Sequence, residues 1–231
     1  MTIDITVHKN VLLNILKDIY TDSNIAPWLG FKGGTAVLLF YNLSRFSVDL
    51  DFDLLNETHQ NQIFDTINEI LKKYGTVKSR KKRYSLFFLL VYKNKAYGAQ
   101  NIKVEINKRI FGSTYEVKHY LGIAMQVMVK EDIVANKLVA MHERMGSANR
   151  DIYDAWFFLS NYWPINKKII EFRTGVPYTT FIQTCIADLD RMPDRGILAG
   201  LGELLNEKQK AWAKSKLRTD LIFLLKLLIN A

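Results

Sequence analysis

Residues 31–55 read FKGGTAVLLFYNLSRFSVDLDFDLL, and their second half decides the fold. From Val48 to Leu54 the pattern alternates strictly, with Val48, Leu50, Phe52 and Leu54 on one side and Asp49, Asp51 and Asp53 on the other. A period of two is that of a strand with one face in the core, so this strand turns a wholly carboxylate face away from the core. Just upstream, Gly33-Gly34-Thr35 leads into a strongly apolar helix, with Thr35 expected to cap it. Carboxylates at i and i+2 have Cα atoms about 6.5–7 Å apart on one face and can share an ion. Magnesium takes hard oxygen ligands and leaves positions for phosphates, while glycines at a helix start let backbone N–H groups approach phosphate oxygens. The stretch therefore reads as a triphosphate cradle beside a magnesium-binding strand.

Upstream, VLLNILKDIY (11–20) places Leu12, Ile15, Leu16 and Ile19 on one helical face. Downstream, residues 60–74 have helical spacing, YSLFFLLVY (84–92) is strand-like, and in NIKVEINKRI the residues Ile102, Val104 and Ile106 alternate with Lys103, Glu105 and Asn107. Segments 130–145, 149–161, 178–190 and 198–229 have helical spacing, broken at Gly146, Pro164, Pro177 and Pro193. The expected class is α+β: a mixed sheet with helices over 1–115, then a helical domain over 116–231. Glu105, on the polar face of its strand, is the candidate third metal ligand or base, with a strand-face partner for Lys103 or Lys108 as the alternative. Asp53 fits either a ligand or a solvated strand face and is left out of the core set.

Charge is concentrated. Between Lys72 and Arg109 twelve Lys or Arg stand against Glu105 alone, so a +11 block within a total of +9 leaves −2 for the remainder. Such a one-signed field attracts polyanions. Lys78, Arg80, Lys81, Lys82 and Arg83 are its densest part and the expected RNA contacts, and Tyr84, Phe87, Phe88, Tyr92 and Tyr97 in the same block offer faces for unpaired bases. A solvated strand edge or an acidic protein partner is the alternative.

The composition excludes other classes. Hydrophobic residues at 48% and charged residues at 24% are those of an ordinary globular chain. One cysteine, Cys185, permits no internal disulfide, and His8, His59, His119 and His142 lack zinc-site spacing. No signal-peptide core or membrane-length apolar run is present, so a cytoplasmic protein without membrane contact is expected.

The 31–55 run, with its Gly-Gly-Thr turn followed by Arg-x-Ser-x-Asp-Leu-Asp-Phe, resembles the first motif of the AbiEii/AbiGii toxin family. These are MenT-like nucleotidyltransferases of the DNA polymerase β-like superfamily, linked to toxin–antitoxin and abortive-infection systems. EDIVANKLVAMHERMGSANRDIYDAWFF (131–158) resembles the family's second signature. The resemblance implies a polymerase β-like core whose active site is completed by the helical half. It implies that Gly33, Gly34 and Thr35 bind nucleotide phosphates bordered by Arg45 and Ser47, and that Asp49 and Asp51 ligate magnesium. Lys137 stands where the family has its essential lysine, and Asp151 and Asp154 match the closing carboxylates. Lys137 and Arg144 share one helix face and Asp151 and Asp154 another, which also fits a helix–helix salt-bridge cluster. The implied activity is transfer of a nucleoside monophosphate from a nucleoside triphosphate to RNA, foremost the tRNA 3′ end. The implied partner is a cognate antitoxin. The alternatives are a protein or small-molecule acceptor hydroxyl, or a non-catalytic RNA- or partner-binding module.

Overall fold

The computed structural model describes residues 4–94, 98–193 and 195–230. Two units divide the chain. The first takes in the chain to Asn42, Phe46–Ile110 and Tyr115–Met128; the second takes in Leu43–Arg45, Phe111–Thr114 and the chain from Val129.

In the first unit seven strands form one mixed sheet: β1 (Leu29–Lys32), β2 (Leu50–Leu54), β3 (Thr76–Lys81), β4 (Ser85–Asn94), β5 (Gly98–Asn107), β6 (Tyr115–Tyr120) and β7 (Ile123–Met128), in the order β3-β4-β5-β2-β1-β7-β6. The pairs β2/β5 and β1/β7 are parallel and the rest antiparallel. Alternation in the sequence becomes two faces. Leu50, Phe52, Leu86, Phe88, Leu90, Ile102, Val104 and Ile106 are all buried, and they join one core with helix α1 (Ile5–Thr21) and helix α3 (Gln60–Lys72). From α1 the core takes Leu12, Ile15, Leu16 and Ile19, and from α3 Ile63, Ile67 and Leu71, each worth about 1.5–3 kcal/mol relative to exposure. Helix α1 begins earlier than its apolar spacing indicates because the Asp4 side chain accepts from the N–H groups of Thr6 and Val7. Helix α2 (Gly33–Tyr41) ends on Asn42, whose left-handed conformation returns its N–H to Val37 O.

Two parts of this sheet lie outside the sequence expectation. Strand β3 is exposed along nearly its whole length, so it has no apolar alternation and is held by its ladder to β4. The β6–β7 hairpin carries the sheet to Met128, beyond the expected boundary at 115; β6 exposes Glu116 and Val117 alike and so has no clean period of two.

The second unit is helical: α4 (Lys130–Arg144), α5 (Arg150–Ser160), α6 (Lys167–Thr174), α7 (Tyr178–Arg191), α8 (Glu207–Trp212) and α9 (Arg218–Asn230), with a π-helical turn Ala213–Leu217 between the last two. Helix α6 lies between the expected helical segments, while 198–206, expected to be helical, is turns and a short 3-10 segment. The 111–114 segment belongs to this unit, where Asp132 accepts from Thr114 N at 2.7 Å and Oγ1 at 2.8 Å. No described helix is long and apolar enough to cross a membrane.

Candidate active site

In the first unit the glycine turn and the carboxylate strand meet. Gly33 has φ +79°, and a Cβ there would lie 2.5 Å from Asp51 Oδ2, so the position admits only glycine. Helix α2 opens at Gly33 with Lys32 at its N-cap, so Thr35 lies inside the first turn and is not the expected cap. Its hydroxyl has one proton, which goes to Asp49 O at 2.5 Å; it therefore accepts from Ser47 Oγ at 3.0 Å. This matters because β2 begins only at Leu50, leaving Asp49 just outside the strand. A second side chain holds the preceding residue: His8 Nε2 lies 3.0 Å from Val48 O and Nδ1 2.8 Å from Tyr92 OH. A carbonyl only accepts, so Nε2 carries the proton and Nδ1 accepts from the tyrosine. Burial pushes the His8 pKa down and keeps the ring neutral. Sequence reasoning missed His8; the one signal was its place four residues before Leu12 on the apolar face of α1.

Parallel pairing of β2 with β5 sets Asp51 directly opposite Glu105. The Lys103 ammonium lies among the acids, 3.1 Å from Glu105 Oε2, 3.5 Å from Asp51 Oδ1 and 4.0 Å from Asp49 Oδ2. Burial pulls the Lys103 pKa down, but Asp51, Asp49 and Glu105 together hold it above its ordinary value. Burial alone would raise the Glu105 pKa; Lys103 and the Ser85 hydroxyl, which donates to Oε1 at 2.8 Å, keep it lowered. Among the described residues no three His, Cys, Asp or Glu side chains are arranged to close around an ion. What the face presents is a pair of hard-oxygen carboxylates, Asp49 and Asp51, with a third acid beside them and a cation drawn in between. That donor set fits a divalent metal of the magnesium class.

Asp53, on the same face, is saturated. It accepts from Lys32 Nζ at 2.5 Å, Asn107 Nδ2 at 2.9 Å and Tyr115 OH at 2.5 Å, and so ties β1, β2, β5 and β6 together. Its role is structural.

The second unit gathers the other candidates. Lys137 Nζ lies 2.8 Å from Asp151 Oδ1 and 2.9 Å from Asp154 Oδ2. Arg45 grips Asp154 through Nε at 2.6 Å and Nη2 at 2.7 Å, and Arg144 Nη2 faces Asp151 Oδ2 at 2.7 Å as an ion pair without hydrogen-bond alignment. Burial opposes each charge, yet Asp151 and Asp154 keep the Lys137 pKa raised, and Arg45 and Lys137 bring Asp154 down to about 2. The salt-bridge cluster is thus present, with Lys137, Arg45 and Arg144 on the same two carboxylates.

The basic block divides by strand face. Directly paired residues point to the same side of a sheet, so Lys78 and Arg80, opposite Leu89 and Phe87, share the carboxylate face; Lys82 joins them, its Nζ 4.0 Å from the Phe87 ring centre. Lys81 turns the other way, donating to Asn61 Oδ1 at 2.8 Å over the Phe64 ring. Arg83 lies over Tyr84. Phe88 and Tyr92 are in the core, while Lys95 and Tyr97 lie outside the described residues.

Known proteins share this architecture. The structure is similar to JHP933 from Helicobacter pylori, with a TM-score of 0.67 at 20% identity over 100% of this chain and 94% of that one. It is also similar to MenT4, a nucleotidyltransferase toxin from Mycobacterium tuberculosis, with a TM-score of 0.53 at 17% identity over 97% and 93%. An antigenic nucleotidyltransferase-like protein from Paracoccidioides brasiliensis gives 0.51 at 12% identity over 85% and 95%. At such identities the likeness shows the fold. No curated protein sequence matches significantly. The family profile described as nucleotidyl transferase AbiEii toxin, type IV TA system, matches residues 14–218 and so takes in the glycine turn, the carboxylate strand and the Lys137 cluster. The chain belongs to the AbiEii family of type IV toxin–antitoxin systems and is a nucleotidyltransferase.

Proposed function

We propose that this enzyme transfers a nucleoside monophosphate from a nucleoside triphosphate to RNA, at the 3′ end of tRNA, with magnesium as its metal and the cytoplasm as its compartment. The observation that carries the reading is the carboxylate face itself: Asp49 and Asp51 backed by the Gly33 turn, on the same sheet face as Lys78, Arg80 and Lys82. Bound magnesium would supply charge to draw the α-phosphate and the acceptor hydroxyl together. Gly33 and Gly34 admit the phosphate chain at the start of α2, where backbone N–H groups point outward. Thr35, Ser47 and His8 hold the backbone that carries Asp49, and Glu105 stays ionised beside the pair. Lys137 stays cationic, as a residue neutralising triphosphate charge must, with Arg144 and Arg45 as companions and Asp151 and Asp154 as its orienters. In the reaction an RNA 3′-oxygen bonds to the α-phosphorus, the bond from that phosphorus to pyrophosphate breaks, and the hydroxyl proton passes to water.

A neighbouring antitoxin is the expected protein partner for a member of this family. The test is incubation of the protein with total RNA, magnesium and each α-labelled nucleoside triphosphate in turn. A labelled tRNA-sized band is expected, lost in Asp49→Ala and Asp51→Ala while RNA binding persists. Label appearing on protein or a small alcohol, and not on RNA, would overturn the acceptor assignment.

A further inference from the structure

The register of the first unit aligns four strands into a transverse row on the carboxylate face. Arg80 on β3 pairs with Phe87 on β4, Phe87 with Glu105 on β5, and Glu105 with Asp51 on β2. In the next row Lys78 pairs with Leu89 and Leu89 with Lys103. Outward from Asp51 the face therefore changes from carboxylate, through half-buried Phe87 and Leu89, to a cationic edge of Lys78, Arg80 and Lys82. With neighbouring strands about 4.8 Å apart, Phe87 stands about 10 Å from Asp51 and Arg80 about 14 Å.

On the opposite flank of Asp51 lies β1, with the Gly33 backbone against the Asp51 carboxylate. A triphosphate seated on that turn sends pyrophosphate toward β1. In-line displacement then requires the acceptor hydroxyl to come from the other flank, across β5 and β4. That is the flank where the aromatic and the cations lie. The basic block holds six aromatics, but Phe88 and Tyr92 are consumed by the core, Tyr74 packs against it and donates to Asp18, Tyr84 stands at the turn beyond the rows, and Tyr97 lies outside the described residues. Among the described residues Phe87 is the aromatic in line with Asp51, and its ring already attracts two cations, Lys82 Nζ at 4.0 Å and Arg80 Cζ at 5.3 Å.

We propose that Phe87 and Leu89, bordered by Lys78, Arg80 and Lys82, form a docking strip for the unpaired 3′-terminal segment of the acceptor RNA. A base stacks on Phe87, the three cations meet the phosphates behind it, and the terminal hydroxyl is delivered to the Asp49–Asp51 pair. This rests on the RNA-transfer reading above. Unpaired bases favour such a strip because any base has a face to stack, and cations on one sheet edge follow a backbone without reading sequence. Lys81, of the same charge and on the same strand, faces the opposite side and has no part in it.

The experiment measures half-saturation by total tRNA and by the nucleoside triphosphate separately, together with direct binding of a short unstructured fluorescein-labelled oligoribonucleotide at two salt concentrations. Phe87→Leu is expected to weaken RNA half-saturation about tenfold with no change for the triphosphate, and Phe87→Trp to restore it. Lys82→Glu should weaken oligoribonucleotide binding several-fold more than Lys81→Glu and lower the salt dependence. Equal effects of Lys81→Glu and Lys82→Glu would overturn the strip, as would a Phe87→Leu protein that matches the parent on RNA. A Phe87→Leu effect on the triphosphate alone would assign the ring to the incoming base and overturn the proposal. If the unmodified protein labels an acceptor other than RNA and binds no oligoribonucleotide, the RNA-transfer reading itself fails and the strip with it.

Discussion

Two charge clusters occur in this molecule, one on the sheet and one among the helices. Around Lys103 the carboxylates of Asp49, Asp51 and Glu105 converge on one ammonium, and these three side chains keep 18%, 31% and 31% of their exposure. Around Lys137 three cations face two carboxylates, and Asp154 and Asp151 keep 1% and 0%. The first arrangement stays in part open to solvent and is rich in carboxylate oxygens. The second buries its carboxylates almost completely against cations. The difference teaches that equal residue types serve different ends according to desolvation: exposed like charges cost little when removed, whereas a buried ion that loses its partner is strongly penalised.

The sharpest way to break this comparison is a pair of truncations followed by denaturant unfolding. Asp154→Ala leaves Arg45 buried without its bidentate partner and should cost about 3–5 kcal/mol. Asp51→Ala should change stability by no more than about 0.5 kcal/mol. Comparable losses at the two positions would show that the sheet cluster, too, is structural.

The acid limb of stability sharpens it next. The folded protein holds Asp154 at about 2 against an ordinary 3.8, with burial opposing and Arg45 and Lys137 prevailing. A depressed pKa contributes stability that is complete above about pH 4 and is lost as pH falls from there through 2, on the order of 2 kcal/mol in all. Asp154→Asn should abolish that part of the acid transition, measured as the difference between the two unfolding profiles; an unchanged slope would remove Asp154 as its source.

Smaller effects are expected on the sheet. Lys103→Met removes the ammonium that competes for the carboxylates, so magnesium binding by calorimetry should tighten up to about tenfold. Weaker binding would mean that Lys103 orders the site instead. Thr35→Val deletes the donor to Asp49 O and should cost about 1 kcal/mol, with a raised magnesium requirement for transfer. A raised requirement without loss of stability would still place Thr35 in support of Asp49; no change in either would not.

Local pattern alone determined much of this protein. The alternation at 48–54 placed Asp51 and Asp53 on one strand face, with Asp49 just before it, the 11–20 and 60–74 spacings identified the apolar faces of α1 and α3, and two motifs identified the family. Such features are legible because side-chain period follows from backbone geometry within a few residues. Pairing between distant segments was decided by the tertiary structure. It put Glu105 opposite Asp51, saturated Asp53 through Lys32, Asn107 and Tyr115, enlisted His8 behind Val48, and sorted Lys82 from Lys81 across an edge strand with no apolar signal of its own. Strand register and hydrogen-bond partners depend on contacts between residues tens of positions apart, which no local period encodes.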